Sequence, residues 1–113
     1  MNRGEIWWAD LNNPRGSEPG YKRPVVIIQA NEFNRSKINT IICAVITSNI
    51  ELQKAPGNIF ISKEDSSLSK DSVINISQII TVDKLFLTEL AGTLTPGILK
   101  KLNKSLKLIL NIK

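Results

Sequence analysis

Two stretches of the sequence carry residues that can act together on a phosphate. Glu18 and Arg23 lie in a polar segment that leads into the apolar run 24–28, and a second apolar run, 41–46, ends in Thr47. Consecutive strands are usually neighbours in a sheet, so the guanidinium and the hydroxyl are expected at one rim. The chain has no histidine. A carboxylate, a guanidinium and a hydroxyl in this setting favour a phosphate-directed site.

Arg23 is the clearest of these candidates, because a guanidinium stays charged and its planar fork donates two hydrogen bonds to a phosphate. Each residue also has an ordinary explanation. Taken alone, an arginine before a strand is more often an exposed charge or an ion-pair partner, here of Glu18. A threonine at the end of a strand, such as Thr47, is more often a turn former.

Length and composition predict one domain, residues 1–113, without a metal or cofactor. At 113 residues and 42% hydrophobic, the chain can bury a single core without disulfides or metal. It has one cysteine, Cys43, inside an apolar run, where a small buried hydrophobic residue is expected. There is no clustered acidic motif and no glycine-rich phosphate loop. The unpaired cysteine and the lack of a signal-peptide or membrane-length pattern predict a cytoplasmic protein that does not contact a membrane.

The net charge of +5 is concentrated at the C-terminal end. From residue 84 onward there are six lysines and one acid, whereas bases and acids cancel in residues 1–83. This excess favours attraction to polyanions but does not locate a site.

Apolar patterning predicts a mainly β fold. The predicted strands are residues 5–11, 24–28, 41–46, 58–62 and 72–80, with a return to the sheet at 91–94. In the first strand Trp7 and Trp8 point to opposite faces, so one is expected in the core and the other at a surface. The outer ring has two interpretations, a lid over the core or a platform for a nucleobase or partner.

A helix is predicted from residue 96 to about residue 110, because Thr95 is a good N-cap and proline follows at the first helical position. One face of this helix is apolar and the other carries lysines. Leu108 and Ile112 fall on the lysine side, which indicates a second partner surface. Phe33, between the two central strands, is expected to cover the core.

Five motifs in chain order resemble the MazF/PemK family of toxin endoribonucleases. They are Arg3-Gly4-Glu5-Ile6-Trp7, Gly16-Ser17-Glu18-Pro19-Gly20, Lys22-Arg23-Pro24-Val25-Val26-Ile27-Ile28-Gln29, Ile46-Thr47-Ser48-Asn49, and Lys70-Asp71-Ser72-Val73 with Gln78-Ile79-Ile80-Thr81-Val82-Asp83-Lys84. No single motif is specific, but together they run from Arg3 to the final helix, nearly the whole chain.

The resemblance implies a small closed SH3-like β-barrel of the PemK/CcdB type with a C-terminal α-helix. It implies a homodimer and a cognate antitoxin whose C-terminal segment masks the RNA site, with DNA contacted only through that antitoxin. It also implies metal-independent, sequence-specific cleavage of single-stranded RNA, without a cofactor. The dimer surface is expected to include residues 78–84 and part of the final helix.

The resemblance also assigns roles to individual residues. RNA can be cut without metal when its own 2′-OH attacks the phosphorus, leaving a 2′,3′-cyclic phosphate and a 5′-OH. Arg23 would stabilise charge on the phosphoryl oxygens, and Thr47, at the family's second catalytic position, would fix a phosphoryl oxygen or orient the sugar. Glu18 is the candidate general base, although an unperturbed glutamate with a pKa of about 4.3 is a weak base at neutral pH. Weaker candidates for substrate contact are Ser17, Gly20, Ser48, Asn49 and Gln78.

Two further hypotheses remain beside cleavage. The first is a non-catalytic gyrase inhibitor resembling the CcdB toxins, which rely on a tryptophan near the C-terminus; this chain has none there. The second is an RNA-binding module that does not cleave. Arg23 and Thr47 favour cleavage over this second hypothesis.

Overall fold

Six strands, three helices and two 3₁₀ turns form the described part of the chain. The structure is a computed structural model, and it describes residues 1–11 and 21–113. The strands are β1 (Glu5–Leu11), β2 (Tyr21–Ile27), β3 (Thr40–Thr47), β4 (Ile59–Ile61), β5 (Ser72–Asp83) and β6 (Leu87–Thr93). The helices are α1 (Asn31–Asn34), α2 (Lys63–Ser66) and α3 (Pro96–Leu110), and the 3₁₀ turns are Ile50–Lys54 and Lys84–Phe86.

The six described strands form one antiparallel sheet with the order β4-β5-β3-β2-β1-β6. The two apolar runs that were predicted to be neighbours, now β2 and β3, pair through Val25 and Val45. On its other side β2 pairs with β1, where Arg23 lies opposite Ala9. The prediction of a mainly β fold with a C-terminal helix is therefore confirmed.

The sheet buries an apolar cluster on each face, because side chains alternate along a strand. One cluster includes Ile6 and Val26, and the other includes Val25. Trp8 packs on the first cluster and Trp7 on the second, and both rings are half-buried. The expectation of one core tryptophan and one surface tryptophan is met only in part: both rings pack on a cluster, because β1 has a core on both of its faces, and Trp8 also lines a surface cleft.

Strand β5 is irregular where its register with β3 shifts. Ala44 pairs with Ile79 and Val45 pairs with Asn75, so residues 76–78 have no partner in this ladder. Extra residues of this kind bend a strand and increase its twist. The long strand predicted over residues 72–80 is confirmed, and it continues to Asp83.

Helix α3 has the bounds that the sequence predicts. The Thr95 hydroxyl accepts a hydrogen bond from the Ile98 N–H at 3.3 Å and so caps the first turn. Ile98 and Leu102 are buried in the first cluster, whereas Leu108 is 66% exposed. The N-terminal half of α3 therefore closes the core, and its C-terminal half presents apolar side chains to the outside. No helix in residues 1–11 and 21–113 is long and apolar enough to span a membrane.

Phe33 does not cover the core as predicted, because polar contacts orient helix α1. Asn34 is the buried residue of α1, and its side-chain amide donates to the Gln29 carbonyl at 3.0 Å and accepts from the Gln29 amide at 2.9 Å. Lys84 Nζ donates to the Asn34 carbonyl at 2.9 Å. With Asn34 turned inward, Phe33 is 53% exposed.

Helix α2 packs directly on the edge strand β6. A Cβ atom added at Gly92 of β6 would overlap the carbonyl oxygen of Ser66, a fully buried residue at the end of α2. Only a residue without a side chain permits this approach of the two backbones. At Gly97, in the first turn of α3, an added Cβ would meet nothing within 4 Å.

We predict that G92A destabilises the protein by about 1–3 kcal/mol, because the new methyl group must push α2 away from β6. G97A is the matched control: it adds the same group in open space on a helix and should be neutral or stabilising by up to about 1 kcal/mol. Urea unfolding of both variants measures the difference. Equal midpoints for G92A and G97A would contradict the packing described for α2.

Cys43 lies in the middle of β3 and is fully buried. Burial raises the pKa of its thiol from about 9 to about 12. Since the thiolate is the reactive form, the native thiol is expected to be inert, as the sequence indicates.

We predict that Cys43 resists alkylation in the folded protein at a pH of about 8 and reacts in urea. The raised pKa also makes the unfolded state lose the thiol proton first. The stability that the buried, protonated Cys43 thiol contributes is therefore fully present below about pH 9 and is lost as the pH rises toward about 12. Comparing the free energy of unfolding of the wild type and C43A at increasing pH checks the sign. A steeper alkaline loss in C43A than in the wild type would contradict it.

Candidate functional site

A cleft of about 400 Å³ opens where β2 begins and β3 ends. Its walls come from β1, β2, the end of β3 and the segment before β5. The lining residues are Trp8, Tyr21, Lys22, Arg23, Pro24, Ile46, Ser48, Leu68, Ser69, Lys70 and Ser72. Three of these side chains are cationic, and none of the described lining residues is a carboxylate. The cleft therefore combines an apolar surface with positive charge, which suits an anion attached to an apolar group.

The cleft opens because the ladder between β2 and β3 ends at Val25. Pro24 comes next along β2, and a proline has no N–H to donate to a neighbouring strand. The other side of β2 stays paired with β1, with Pro24 opposite Trp8. Arg23 is thus held on a strand that is anchored on one side and open toward the cleft on the other.

Thr47 ends β3 and pairs with Val73 of β5. Counting on from the pair Val25 and Val45, Arg23 and Thr47 occupy matching positions of β2 and β3, although the ladder has already ended. The Thr47 hydroxyl accepts a hydrogen bond from the Asn49 N–H at 3.1 Å. Thr47 therefore has the turn-forming role that is usual for a threonine at the end of a strand. Its hydroxyl proton can still be donated to another acceptor.

The other predicted site residues are placed differently. Ser48 is exposed and lines the cleft with Arg23. The Asn49 side chain accepts from the Glu51 N–H at 3.3 Å and caps the following 3₁₀ turn. Gln78 lies in the irregular part of β5, where its Oε1 accepts from Asn75 Nδ2 at 3.2 Å, and it does not line this cleft. The remaining predicted residues, Ser17, Glu18 and Gly20, lie outside the described residues.

A group of amide side chains ties the segment after Ser48 to the irregular part of β5. Asn58 Nδ2 donates to the Leu52 carbonyl at 2.9 Å, and Asn58 Oδ1 accepts from the Ile76 N–H at 3.0 Å. Asn75 accepts from Ser77 Oγ at 2.9 Å. Because residues 76–78 lack partners in the β3 ladder, these bonds replace part of the missing pairing.

Sequence reasoning missed several lining residues. Tyr21 is 63% exposed at the lip of the cleft, with a φ of 58° that non-glycine residues rarely adopt. Lys22 and Lys70 supply two of the three cations, and both occur in the motifs quoted above. Their positions in those motifs were the available signal. Their meeting at one cleft follows from the pairing of β1, β2, β3 and β5, which no local pattern shows.

Metal ligands do not converge in the described part of the chain. No group of three His, Cys, Asp or Glu side chains is placed to hold a metal ion within residues 1–11 and 21–113. What the described cleft offers to a ligand is guanidinium, ammonium and hydroxyl groups beside apolar surface.

Residues 2–110 match the family of PemK-like, MazF-like toxins of type II toxin-antitoxin systems. The chain belongs to this family.

Relatives cover the chain almost from end to end. It is 39% identical over 112 residues to Endoribonuclease MazF6 of Mycobacterium tuberculosis, covering 99% of this chain and 98% of that protein. It is 40% identical over 112 residues to Endoribonuclease MazF of Staphylococcus saprophyticus, covering 99% and 92%. A mycobacterial endoribonuclease solved in complex with its cognate antitoxin has the same fold, with a TM-score of 0.77 at 24% identity, covering 100% of this chain and 95% of that one.

We predict that N58A loosens the segment after Ser48, because it leaves the Leu52 carbonyl and the Ile76 N–H without the partners that Asn58 supplies. The expected cost is about 1–3 kcal/mol. Hydrogen exchange at the Ile76 amide, followed by NMR, should become faster than in the wild type. Q53A changes an exposed residue of the same 3₁₀ turn and should leave that amide unchanged. If the Ile76 amide is as well protected in N58A as in the wild type, Asn58 does not hold the segment after Ser48 against β5.

Proposed function

We propose that this chain is the toxin of a type II toxin-antitoxin system and a sequence-specific endoribonuclease that cleaves single-stranded RNA without a metal or cofactor. The observation that carries the proposal is the cleft in which Arg23 lies beside the end of β3. The family of the chain and its relatives named endoribonucleases support it.

The proposed reaction is attack of the RNA 2′-OH on the adjacent phosphorus. The oxygen–phosphorus bond to the 5′-oxygen breaks, and the products are a 2′,3′-cyclic phosphate and a 5′-OH. The proton lost by the 2′-OH is balanced by the proton that the 5′-oxygen gains. Three tasks then fall to the protein: removing the first proton, stabilising the charge on the phosphoryl oxygens, and neutralising the leaving oxygen.

Arg23 performs the second task in this proposal. It is half-buried on a strand paired with β1, so its backbone position is set before the substrate arrives. A preoriented donor in a partly dry site stabilises developing charge more than one that must reorganise, and such a donor is commonly worth about 10²–10³ in rate. Lys22 and Lys70 add positive charge that attracts neighbouring phosphates.

Thr47 and Glu18 complete the proposed catalytic set. The Thr47 hydroxyl, whose oxygen accepts from the Asn49 N–H, is free to direct its proton toward a phosphoryl oxygen or the sugar. Glu18 is proposed as the general base because it is the only acid in the sequence between β1 and β2. Substrate contacts are proposed for Ser17, Gly20, Ser48, Asn49 and Gln78. Among these, Ser48 has direct support from its place in the cleft.

We also infer the partners from the family. A homodimer would cover residues 78–84 and part of α3, where Ile79 lines one groove with Leu110 and Ile112 and where Leu108, Ile109, Leu110 and Ile112 are exposed. A cognate antitoxin would mask the cleft and would be the only link to DNA. The mycobacterial neighbour solved with its antitoxin supports this partner.

Three further inferences, on the number of domains, the cellular location and the closure of the sheet, belong to the same proposal. The chain acts as a single domain, residues 1–113, in the cytoplasm, where its RNA substrate and the reduced state of Cys43 would both be maintained. The sheet closes into an SH3-like barrel. This closure is supported by helix α2, which follows the edge strand β4 and packs on the other edge strand, β6.

We predict that R23A lowers the rate of RNA cleavage in excess EDTA by about 10²–10³. Arg35, at the C-terminal cap of α1, is exposed and does not line the cleft, so R35A removes the same charge as a matched control and should keep wild-type activity. R23K should recover only part of the rate, because an ammonium lacks the planar fork. If R23A and R35A cleave equally well, Arg23 has no role in the reaction. If EDTA abolishes cleavage by the wild type, the metal-independent mechanism fails.

A further inference from the structure

We propose that Trp8 is a binding platform for a nucleobase next to the phosphate that Arg23 holds. The proposal rests on the proposed function, because it assigns a subsite within the same cleft. It concerns which part of the RNA fills the apolar side of that cleft.

The placement of Trp8 carries the argument. Trp8 lies opposite Pro24 in the β1–β2 ladder, one residue from the pair of Ala9 and Arg23. Its ring is half-buried against the first cluster, yet it lines the cleft, so part of the indole is available to a ligand. The aromatic ring and Arg23 therefore line the same cleft, from neighbouring strands.

The surroundings of Trp8 match a nucleotide and not a bare phosphate. Pro24, Ile46 and Leu68 line the same cleft with Trp8 and form an apolar surface, whereas Lys22 and Lys70 supply charge. The volume of about 400 Å³ falls within the range of about 300–1,000 Å³ found for small-ligand pockets. An apolar surface with cations at its sides can take the flat base and the charged backbone together.

Single-stranded RNA is the substrate class that can use such a surface. Its bases are not locked in a duplex, so one can be splayed out and stacked on an aromatic ring. Stacking on one ring is tolerant of sequence, because every base has a π-face. Trp8 is therefore expected to add affinity at one nucleotide, while selection between bases depends on other contacts.

Trp7 provides an internal contrast. It lies on the opposite face of β1, packs on the second cluster and does not line the cleft. Its indole N–H donates to Glu5 Oε1 at 3.1 Å, which fixes the ring in a structural position. The chain has only these two tryptophans, so each can be observed alone after the other is replaced.

Tryptophan fluorescence of the full-length W7F and W8F variants tests the proposal. The probes are single-stranded 2′-deoxy decamers of A, C or T, which lack the attacking hydroxyl, and binding is followed independently by the anisotropy of a dye on the decamer. In W7F the emission comes from Trp8 and should be quenched along the same curve as the anisotropy. In W8F the emission comes from Trp7 and should stay constant as the decamer binds. Unchanged Trp8 emission at saturating decamer, or equal changes in both variants, would overturn the proposal.

A second comparison separates stacking from folding. W8F keeps an aromatic ring and W8L does not, and urea unfolding shows whether either variant has lost its structure. Removing the stacked ring is expected to weaken decamer binding by about 10- to 100-fold in W8L, with most of the affinity kept in W8F. Equal affinities of W8L and the wild type for all decamers would overturn the proposal.

The two proposals can fail independently. If Trp8 reports binding but the wild type leaves a long all-ribose RNA uncut, the base platform stands and the endoribonuclease proposal falls. If the wild type cuts that RNA while Trp8 emission does not respond to a bound decamer, cleavage stands and the base platform falls.

Discussion

The missing backbone N–H of Pro24 decides where the ladder between β2 and β3 ends and the cleft begins. Up to Val25, β2 and β3 are joined by hydrogen bonds; at Pro24 the donor is absent and the ladder stops. Each strand nevertheless stays paired on its other side at this opening, β2 with β1 back to Tyr21 and β3 with β5 up to Thr47. The opening is therefore made of two anchored strand ends, and it exposes Arg23 and Ser48 without leaving either on a long unsupported segment.

The sheet around this opening is rigid because it is buried on both faces. β2 and β3 contribute side chains to two apolar clusters, and the N-terminal half of α3 covers one of them. For the proposed role of Arg23, this packing holds the backbone in place, which reduces the reorganisation needed when charge develops on a phosphate. The amide contacts of Asn58 extend this support to the segment that follows Ser48, at the point where β5 departs from regular pairing.

The sequence predicted most of the strands and helix α3, because these depend on local patterns. Continuous apolar runs gave β2 and β3, and the Thr95 N-cap followed by proline gave the start of α3. The prediction that Phe33 covers the core was wrong, because its apolar character alone does not show that Asn34 is the residue turned inward. The register shift in β5 also has no local signal, because it depends on how two distant strands are aligned.

The candidate site was predictable only in part, for the same reason. Arg23, Ser48 and Thr47 were found from their positions at the ends of apolar runs, and the structure places all three at the same end of β2 and β3, where Arg23 and Ser48 line the cleft and Thr47 does not. Gln78 was expected near them but lies in the irregular part of β5, outside the lining of the cleft. A nucleobase platform was one of two interpretations of the outer tryptophan, but alternation along β1 does not show which of Trp7 and Trp8 lines the cleft.

The central claim is that the RNA supplies its own nucleophile at the cleft. The most direct measurement uses an RNA that contains one cleavage position, once with ribose and once with a single 2′-deoxy sugar on the 5′ side of the scissile phosphate. If the 2′-OH is the nucleophile, the first RNA is cleaved to a 2′,3′-cyclic phosphate and a 5′-OH, and the second is not cleaved at that phosphate. Cleavage of the deoxy-substituted RNA at the same bond, or products with a 5′-phosphate, would contradict it.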